Sequence, residues 1–369
     1  MRSTLKRQAG AALLTAMLTV TLVATFAAAA LWQQWRSAEV EAAERARTQA
    51  GWVLIGALDW SRLILREDAR AAGTTGVAAD YLAEPWAIPL EEAKLTTFLA
   101  ADKNIASDTL EGLPDAFLSG RIIDAQSKLN ALNLVDGGKP VAATVAAFSK
   151  LFQLLGLPAE ELALMTTNLQ RAVPATASST STSTSTSTST STTASSTASS
   201  TSTTTSSTTS QTTSQTAETV TSSASGPLVP QRTAQLTWLG LSASTAAALE
   251  PYVTVLPTRT PLNLNTASAE AIFASTPGLD LAGAKRLVAA RTLSYFKTLA
   301  DAGALVQQSS AQFVPDQHSV STGYFEVQAR LRIDRTWVEE QTLLRRDGID
   351  VRIVWRERGA GATSPPPRS

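Results

Sequence analysis

Polar and apolar positions fall into distinct regimes along the chain. Between Arg7 and Arg36 lie 28 positions without a charge. Roughly 20 apolar residues span the hydrocarbon core of a bilayer as a helix. Thr15, Thr19, Thr21 and Thr25 interrupt the run, but a helix satisfies such hydroxyls on its own backbone. Arg2, Lys6 and Arg7 precede the run, and Trp32, Trp35 and Arg36 close it. Basic residues in front favour a cytoplasmic N-terminus, and the tryptophans suit the membrane–water interface. From Arg36 to about Ala72 the apolar residues Val40, Ala43, Ala50, Val53, Leu54, Ala57, Leu58, Ile64 and Leu65 recur at three- and four-residue spacing. That pattern predicts an amphipathic helix continuing straight out of the membrane. At 1.5 Å per residue, residues 11–70 make a rod of roughly 90 Å.

Three readings fit the start of the chain. It is a plain signal anchor, or a secretory signal peptide with small-residue cleavage sites at Ala27–Ala30, or a short basic leader closed by Gly10, with Ala11 opening the apolar run. The last is the layout of a type IV prepilin leader, cut on the cytoplasmic side. The unbroken helical pattern through Ala27–Ala30 counts against cleavage there.

Further on, Gly73–Gly76 ends the helix. Residues 80–116 read as a loop, and Ala116–Leu129 as a strand. Residues 139–173 read as helices, with Val145, Phe148, Leu151, Phe152, Leu154 and Leu155 on a core face and Pro158 near the first turn of the second. Residues 174–226 are a Ser/Thr/Ala tract with too few large apolar side chains to offset chain entropy, and read as disordered. Order returns near Gln231. Thr266 or Ser268 caps a helix running to Ser275, Pro277-Gly278 turns, and a second helix covers Leu281–Arg291. This is a helix-hairpin-helix. The period then changes to two. Phe325, Val327, Ala329, Leu331 and Ile333 alternate with polar residues, Trp337–Arg346 forms a second strand, and Asp347-Gly348 turns into a third. The expected sheet is a three-stranded antiparallel meander whose apolar face needs the long helix as its cover.

Composition removes several function classes. Lys+Arg and Asp+Glu balance at 31 each, with no cysteine and one histidine. No overall field draws the chain to nucleic acid. Thiol nucleophiles, zinc–thiolate sites and His-based triads are unavailable. His318 lies in the polar stretch PDQHSVS and is expected to be solvated. Asp124, Asp280 and Asp334 fall in separate elements, so no pair is placed for acid–base work.

The stretches RQAGAALLTAMLTVTLVA, SGRIIDAQSKLNALNLV, LFQLLGLP, PYVTVLPTRTPLNLNTASAEAI and SVSTGYFEVQARLRI, in that order, resemble the minor pseudopilin K family of bacterial type II secretion systems. The resemblance covers almost the whole chain apart from the Ser/Thr tract. It implies an α+β fold, with a pilin-like long N-terminal helix packed on a small antiparallel sheet and a large inserted all-α (helix-hairpin-helix, SAM-like) domain. It divides the chain into a leader (1–10), a transmembrane half-helix (11–35), the rest of the pilin helix with the first strands (36–130), a first helical subdomain (131–173), the Ser/Thr linker (174–226), a second helical subdomain (227–318), terminal strands (319–358) and a disordered tail (359–369).

The resemblance further implies that prepilin peptidase cuts after Gly10 and that Ala11 becomes an N-methylated first residue. Thr15 then stands where most pilins carry a glutamate. A carboxylate in lipid is costly unless paired, and its usual partner is the terminal amine of a preceding subunit. A subunit lacking it fits the pseudopilus tip, in the inner membrane, with minor pseudopilins I and J as partners and no enzymatic turnover. Calcium is associated with acidic residues in the family's insert. Here the corresponding LALMTTNLQRAVPATASST has no carboxylate cluster, so no calcium ligand is carried over to a residue of this chain; calcium is implied by the resemblance alone, and no other cofactor is implied.

NLNTASAEAIFASTPGLDLAGAKRLVAAR also resembles the helix-hairpin-helix of DNA-binding competence proteins. There, glycines let backbone N–H groups approach a phosphate. Gly278 is present, but Asp280 replaces a usual second glycine. Lys285, Arg286 and Arg291 could offset that charge, yet a basic helix end is more often a solvated face. A structural hairpin is expected, without nucleic acid as a partner.

Overall fold

The computed structural model describes residues 9–76, 78–95, 116–173, 226–306, 311–333 and 336–362. Most of the leader, the Ser/Thr tract from 174 to 225, Asp334 and the end of the tail lie outside the described residues. Two units form, one from residues up to Ala131 together with those from Pro251 onward, the other from Leu132–Glu250.

The first unit is built on α1, Ala9–Thr75, a single helix of 67 residues. It ends where Gly76 takes a positive φ of 71° and its N–H donates to the Ala72 carbonyl at 3.0 Å, a turn glycine makes at little cost. Ala50, Leu54, Leu58, Ser61 and Leu65 form its buried face. The predicted face starts too early: Val40 is 57% exposed. The strands reach α1 only from about Ala50 upward, so among the described residues no strand covers the stem below.

Five antiparallel strands meet that face in the order β1 (Leu90–Lys94), β2 (Ala116–Asp124), β3 (Tyr324–Ile333), β4 (Thr336–Asp347) and β5 (Asp350–Ala362). The predicted meander is therefore three-fifths of the sheet. Leu90–Lys94, read as loop, pairs with β2. Its side chains are mostly exposed, which hides an edge strand from hydropathy. The strand expected to reach Leu129 stops at Asp124, whose carboxylate accepts from Gln126 N–H and starts a 3-10 turn. β5 runs past Arg358 because Gly359–Ala362 pair with Thr336–Glu339.

Against α1, Leu58, Leu65, Trp86, Phe325, Val327, Leu344 and Val351 make one cluster, and Ala50, Leu54, Ala116, Leu118, Ala329 and Leu331 make the next. A bulge sets Leu343 opposite Trp355 and Leu344 opposite Ile353. Leu343 points to the other side of the sheet, where it packs with Ala125, Leu256 and Tyr324. Both sheet faces are thus partly buried, whereas the sequence pattern showed one.

Between β2 and β3 the chain makes its long excursion. Its later part belongs to the first unit. Leu129–Asn130 pairs in parallel with Val253–Thr254, and Leu262–Asn263 with His318–Ser319. The second unit comprises α2 (Ala142–Leu155), α3 (Ala159–Ala172), a 3-10 turn (Thr233–Leu239) and α4 (Ala243–Leu249). Phe148, Leu151, Phe152, Met165, Leu169, Leu236 and Leu239 are among its buried side chains. Leu154, expected on that face, is 37% exposed. Back in the first unit, α5 (Ala269–Ser275), α6 (Leu281–Leu293) and α7 (Leu299–Ala304) form the hairpin region.

Candidate functional site

Three features carry the functional reading: the free N-terminal half of α1, the polar clasp at its far end, and the helix-hairpin-helix.

Gly10 and Ala11 lie in the first turn of α1. Thr15 Oγ1 donates to the Ala12 carbonyl at 2.9 Å, and Thr19, Thr21 and Thr25 do the same three residues back, at 2.8–3.0 Å. Each hydroxyl is thereby satisfied inside the helix, as lipid requires. The helix passes Ala27–Ala30 unbroken. At the end of the apolar run the Arg36 guanidinium lies 5.7 Å from the Trp32 ring centroid, an interfacial arrangement. This helix is long and apolar enough to cross a bilayer.

At the other end, Arg346 of β4 reaches Asp68 of α1 at 2.6 Å and also pairs with Asp80. Asp80 accepts from Thr322 N–H at 2.7 Å, and its own N–H donates to the Val320 carbonyl. Asn263 Nδ2 donates to both the Asp80 carbonyl (3.1 Å) and Asp124 Oδ2 (2.9 Å), and Thr266 Oγ1 donates to the same Asp124 oxygen at 2.5 Å. Helix end, sheet and hairpin region are joined through these six polar side chains. Burial pushes the Asp124 carboxyl up to about 6, against the pull of its hydrogen bonds from Thr266, Asn263 and Gln126. Burial also pushes Glu84 up to about 7, helped by the charges of Asp68 and Asp80, and raises Asp68 despite Arg346.

Asp68, Asp80 and Glu84 bring carboxylate oxygens within 4.8 Å of one another. Arg346 pairs with two of the three, Asp68 and Asp80, and burial raises Asp68 and Glu84, so the cluster is already served by a cation of the chain itself. In the described part of the second unit, Glu161 is committed to Ser242 N–H at 3.0 Å.

His318 is not solvated. It is 1% exposed, and burial lowers its pKa to about 4. Its parallel pairing with Leu262–Asn263 draws the polar stretch inward. Val314 N–H donates to Nδ1, so the proton sits on Nε2, which faces Ser275 Oγ at 3.1 Å and Thr276 Oγ1 at 3.2 Å. In that tautomer the ring donates to Ser275 and cannot serve as its base. Asp124 is spent on the clasp. Asp280 Oδ1 accepts from Gly283 N–H at 2.7 Å, which caps α6 and occupies the donor a phosphate would use. Arg291 donates to the Leu264 carbonyl at 2.5 Å, and burial lowers its pKa to about 10. Lys285 and Arg286 alone of the three cations face solvent. This geometry offers the DNA-binding reading no support.

The family model described as type II secretion system (T2SS), protein K, matches residues 262–321, the hairpin segment with both strands that close it. A curated relative, the type II secretion system protein K of Pseudomonas aeruginosa, is 25% identical over 356 residues, 96% of this chain and 94% of its own. One chain in the crystal structure of the GspK-GspI-GspJ complex from enterotoxigenic Escherichia coli aligns with a TM-score of 0.50 and 16% identity, over 86% of this chain and 98% of its own. The family model and the curated relative both carry the description protein K of type II secretion systems. The solved structure is a likeness of fold: a pilin-like helix and sheet carrying an inserted helical domain. Within the K resemblance, Asn263, Thr266 and His318 all fall in the segment matched by the family model. The sequence signal for Asn263 and Thr266 was the LNLNT run, whose buried asparagines hydropathy cannot distinguish from a loop.

Proposed function

We propose that the chain is a minor pseudopilin at the tip of a type II secretion pseudopilus. The observation that carries this is one continuous helix, free and apolar over a bilayer-spanning length and then packed into an antiparallel sheet. Prepilin peptidase cuts after Gly10, and Ala11 becomes the methylated N-terminus. Thr15 supplies no carboxylate for a preceding subunit, which fits the chain to begin or cap assembly. Minor pseudopilins I and J, the companions of K in the solved complex, are its partners. The chain is a single-pass protein of the inner membrane. Arg2, Lys6 and Arg7 stay in the cytoplasm, and both folded units lie in the periplasm. Its role is structural, in protein export across the outer membrane.

The test is the N-terminal sequence and mass of the protein extracted from membranes. A start at N-methylated Ala11 is expected. A start near Leu31, or an intact Met1, overturns the prepilin reading.

A further inference from the structure

The side of the sheet opposite α1 has an open, polar half. Leu118, Ala329 and Leu331 pack towards α1, so Ser119, Arg121, Gln328 and Arg330 point the other way. Register sets them in rungs. Arg121 lies beside Gln328, Ser119 beside Arg330 and Glu339, and Arg332 beside Trp337. A hollow of about 330 Å³ lies over the first two rungs, with Pro89 and Leu90 along one edge. Its planar side chains are held edge to edge. Arg121 Nε donates to Gln328 Oε1 at 2.8 Å, and Arg330 donates through Nε and Nη2 to Glu339 Oε2 at 3.2 and 2.8 Å. Each guanidinium has further donors beyond these contacts, and the carboxylate has further lone pairs. Next to Arg330, whose guanidinium is 5.0 Å from its ring centroid, stands the half-buried Trp337. A Cβ on Gly361 would stand 2.5 Å from that ring, so the glycine lets the indole lie against β5. Gly359, next on the same face, has open space above it.

We propose that this face binds a neutral polysaccharide, the glycan strand of the cell wall. The choice of source rests on the pseudopilin reading, which puts the sheet in the periplasm. The class of ligand follows from the side chains. A sugar hydroxyl both donates and accepts, so it needs donors and acceptors side by side, as Arg121, Gln328, Arg330 and Glu339 supply. The apolar face of a pyranose ring needs a flat, fixed aromatic surface, which Trp337 supplies. Charge separates this ligand from others. Arg330 and Arg332 are answered by Glu339 and Glu92, so a phosphate backbone meets a carboxylate among the cations, and a basic peptide meets the guanidinium groups. An apolar protein surface would strand the polar groups without partners. The hollow is at the small end of ligand pockets, which start at about 300 Å³, and suits a short length of such a strand. One shallow contact holds weakly, and a polymer that repeats the same unit at high density offsets that.

The experiment is cosedimentation of the full-length, detergent-extracted chain with purified peptidoglycan sacculi. The chain is expected in the pellet, and is expected to stay there in raised salt, which screens contacts between charges but not contacts to neutral hydroxyls. A soluble oligomer of N-acetylglucosamine, the sugar backbone without its peptides, should release it. Trp337→Ala and Arg121→Ala should each weaken retention about tenfold, the effect of truncating a central anchor. Arg121 is exposed, so its replacement leaves the core intact and keeps the test open even where Trp337→Ala unfolds the sheet. Arg45→Ala removes an exposed cation from the stem of α1 and should pellet like the wild type. Wild type that stays in solution, that comes off in salt, or that pellets no better than the Arg121→Ala chain overturns the site. None of these outcomes touches the pseudopilin reading, which stands or falls on a start at Ala11. Specific retention of a chain whose N-terminus proves uncut keeps the site and removes that reading.

Discussion

Arg346 on β4 and Asp68 on α1 are 2.6 Å apart, with both side chains nearly excluded from solvent. The pair ties the last turns of the long helix to the hairpin end of β4. Arg346 also answers Asp80 and donates to the Thr322 carbonyl. Its guanidinium lies 4.7 Å from the Phe325 ring centroid. Arg346→Met leaves two buried carboxylates without their cation, at an expected cost of about 3–5 kcal/mol. Arg346→Lys should recover part of that, since an ammonium cannot divide itself among three acceptors as a planar fork does. Chemical denaturation of both variants at neutral pH checks the order.

Glu84 and His318 give the stability curve two opposing slopes. Glu84 is raised from 4.5 to about 7, so the folded state holds the extra proton. Its contribution is greatest below the unfolded value and is lost as pH rises through about 7. His318 is lowered from 6.5 to about 4, so the unfolded state holds the proton instead. Its contribution is complete above about pH 6.5 and disappears as pH falls toward 4. Glu84→Gln should therefore gain on the wild type as pH rises from 4.5 to 7. His318→Gln should lose its disadvantage as pH falls from 6.5 to 4. Melting temperatures across pH 4–8 test both signs.

Asp124 is buried with both oxygens used as acceptors, Oδ1 from Gln126 N–H and Oδ2 from Asn263 and Thr266. Asp124→Asn is close to isosteric, but one terminal position becomes a donor facing donors. It should cost about 1–3 kcal/mol, the penalty for an unmatched buried polar group. Thr266→Val in the Asp124→Asn background should cost less than in the wild type, because the carboxylate acceptor of the Thr266 hydroxyl is already gone. A double-mutant cycle reads the coupling.

The helix, the meander and the hairpin helices were legible because they rest on periodicity. Leu54, Leu58 and Leu65 recur at helical spacing, and Phe325, Val327, Ala329 and Leu331 alternate, and all are buried. The clasp was not legible. Asp68, Asp80, Asp124, Asn263 and Arg346 are scattered over nearly 280 positions, and polar residues read as solvated until the fold brings them together. His318 failed for the same reason: its neighbours in sequence are polar, but its neighbours in space are Ser275, Thr276 and Phe313. Leu90–Lys94 was missed because an edge strand needs only backbone partners. Gly10, Ala11 and Thr15 rest on family resemblance, since a leader followed by an apolar run has little physical signature of its own.

The N-terminal segment gives the sharpest contrast between two nearby substitutions. Gly10→Asp places a carboxylate and a Cβ at the proposed cut, where the peptidase must bring its own catalytic groups against the backbone. Processing should stop, leaving the unprocessed chain in the membrane, and secretion should fall with it. Thr15→Ala removes a hydroxyl already turned onto the Ala12 carbonyl of its own helix. It should cost at most about 1 kcal/mol of local hydrogen bonding and leave processing and export near wild type. The mass of the extracted chain and the amount of exported protein in the medium report the two effects separately. Normal secretion by both variants would mean that the segment is only an anchor, whatever its resemblance to a prepilin.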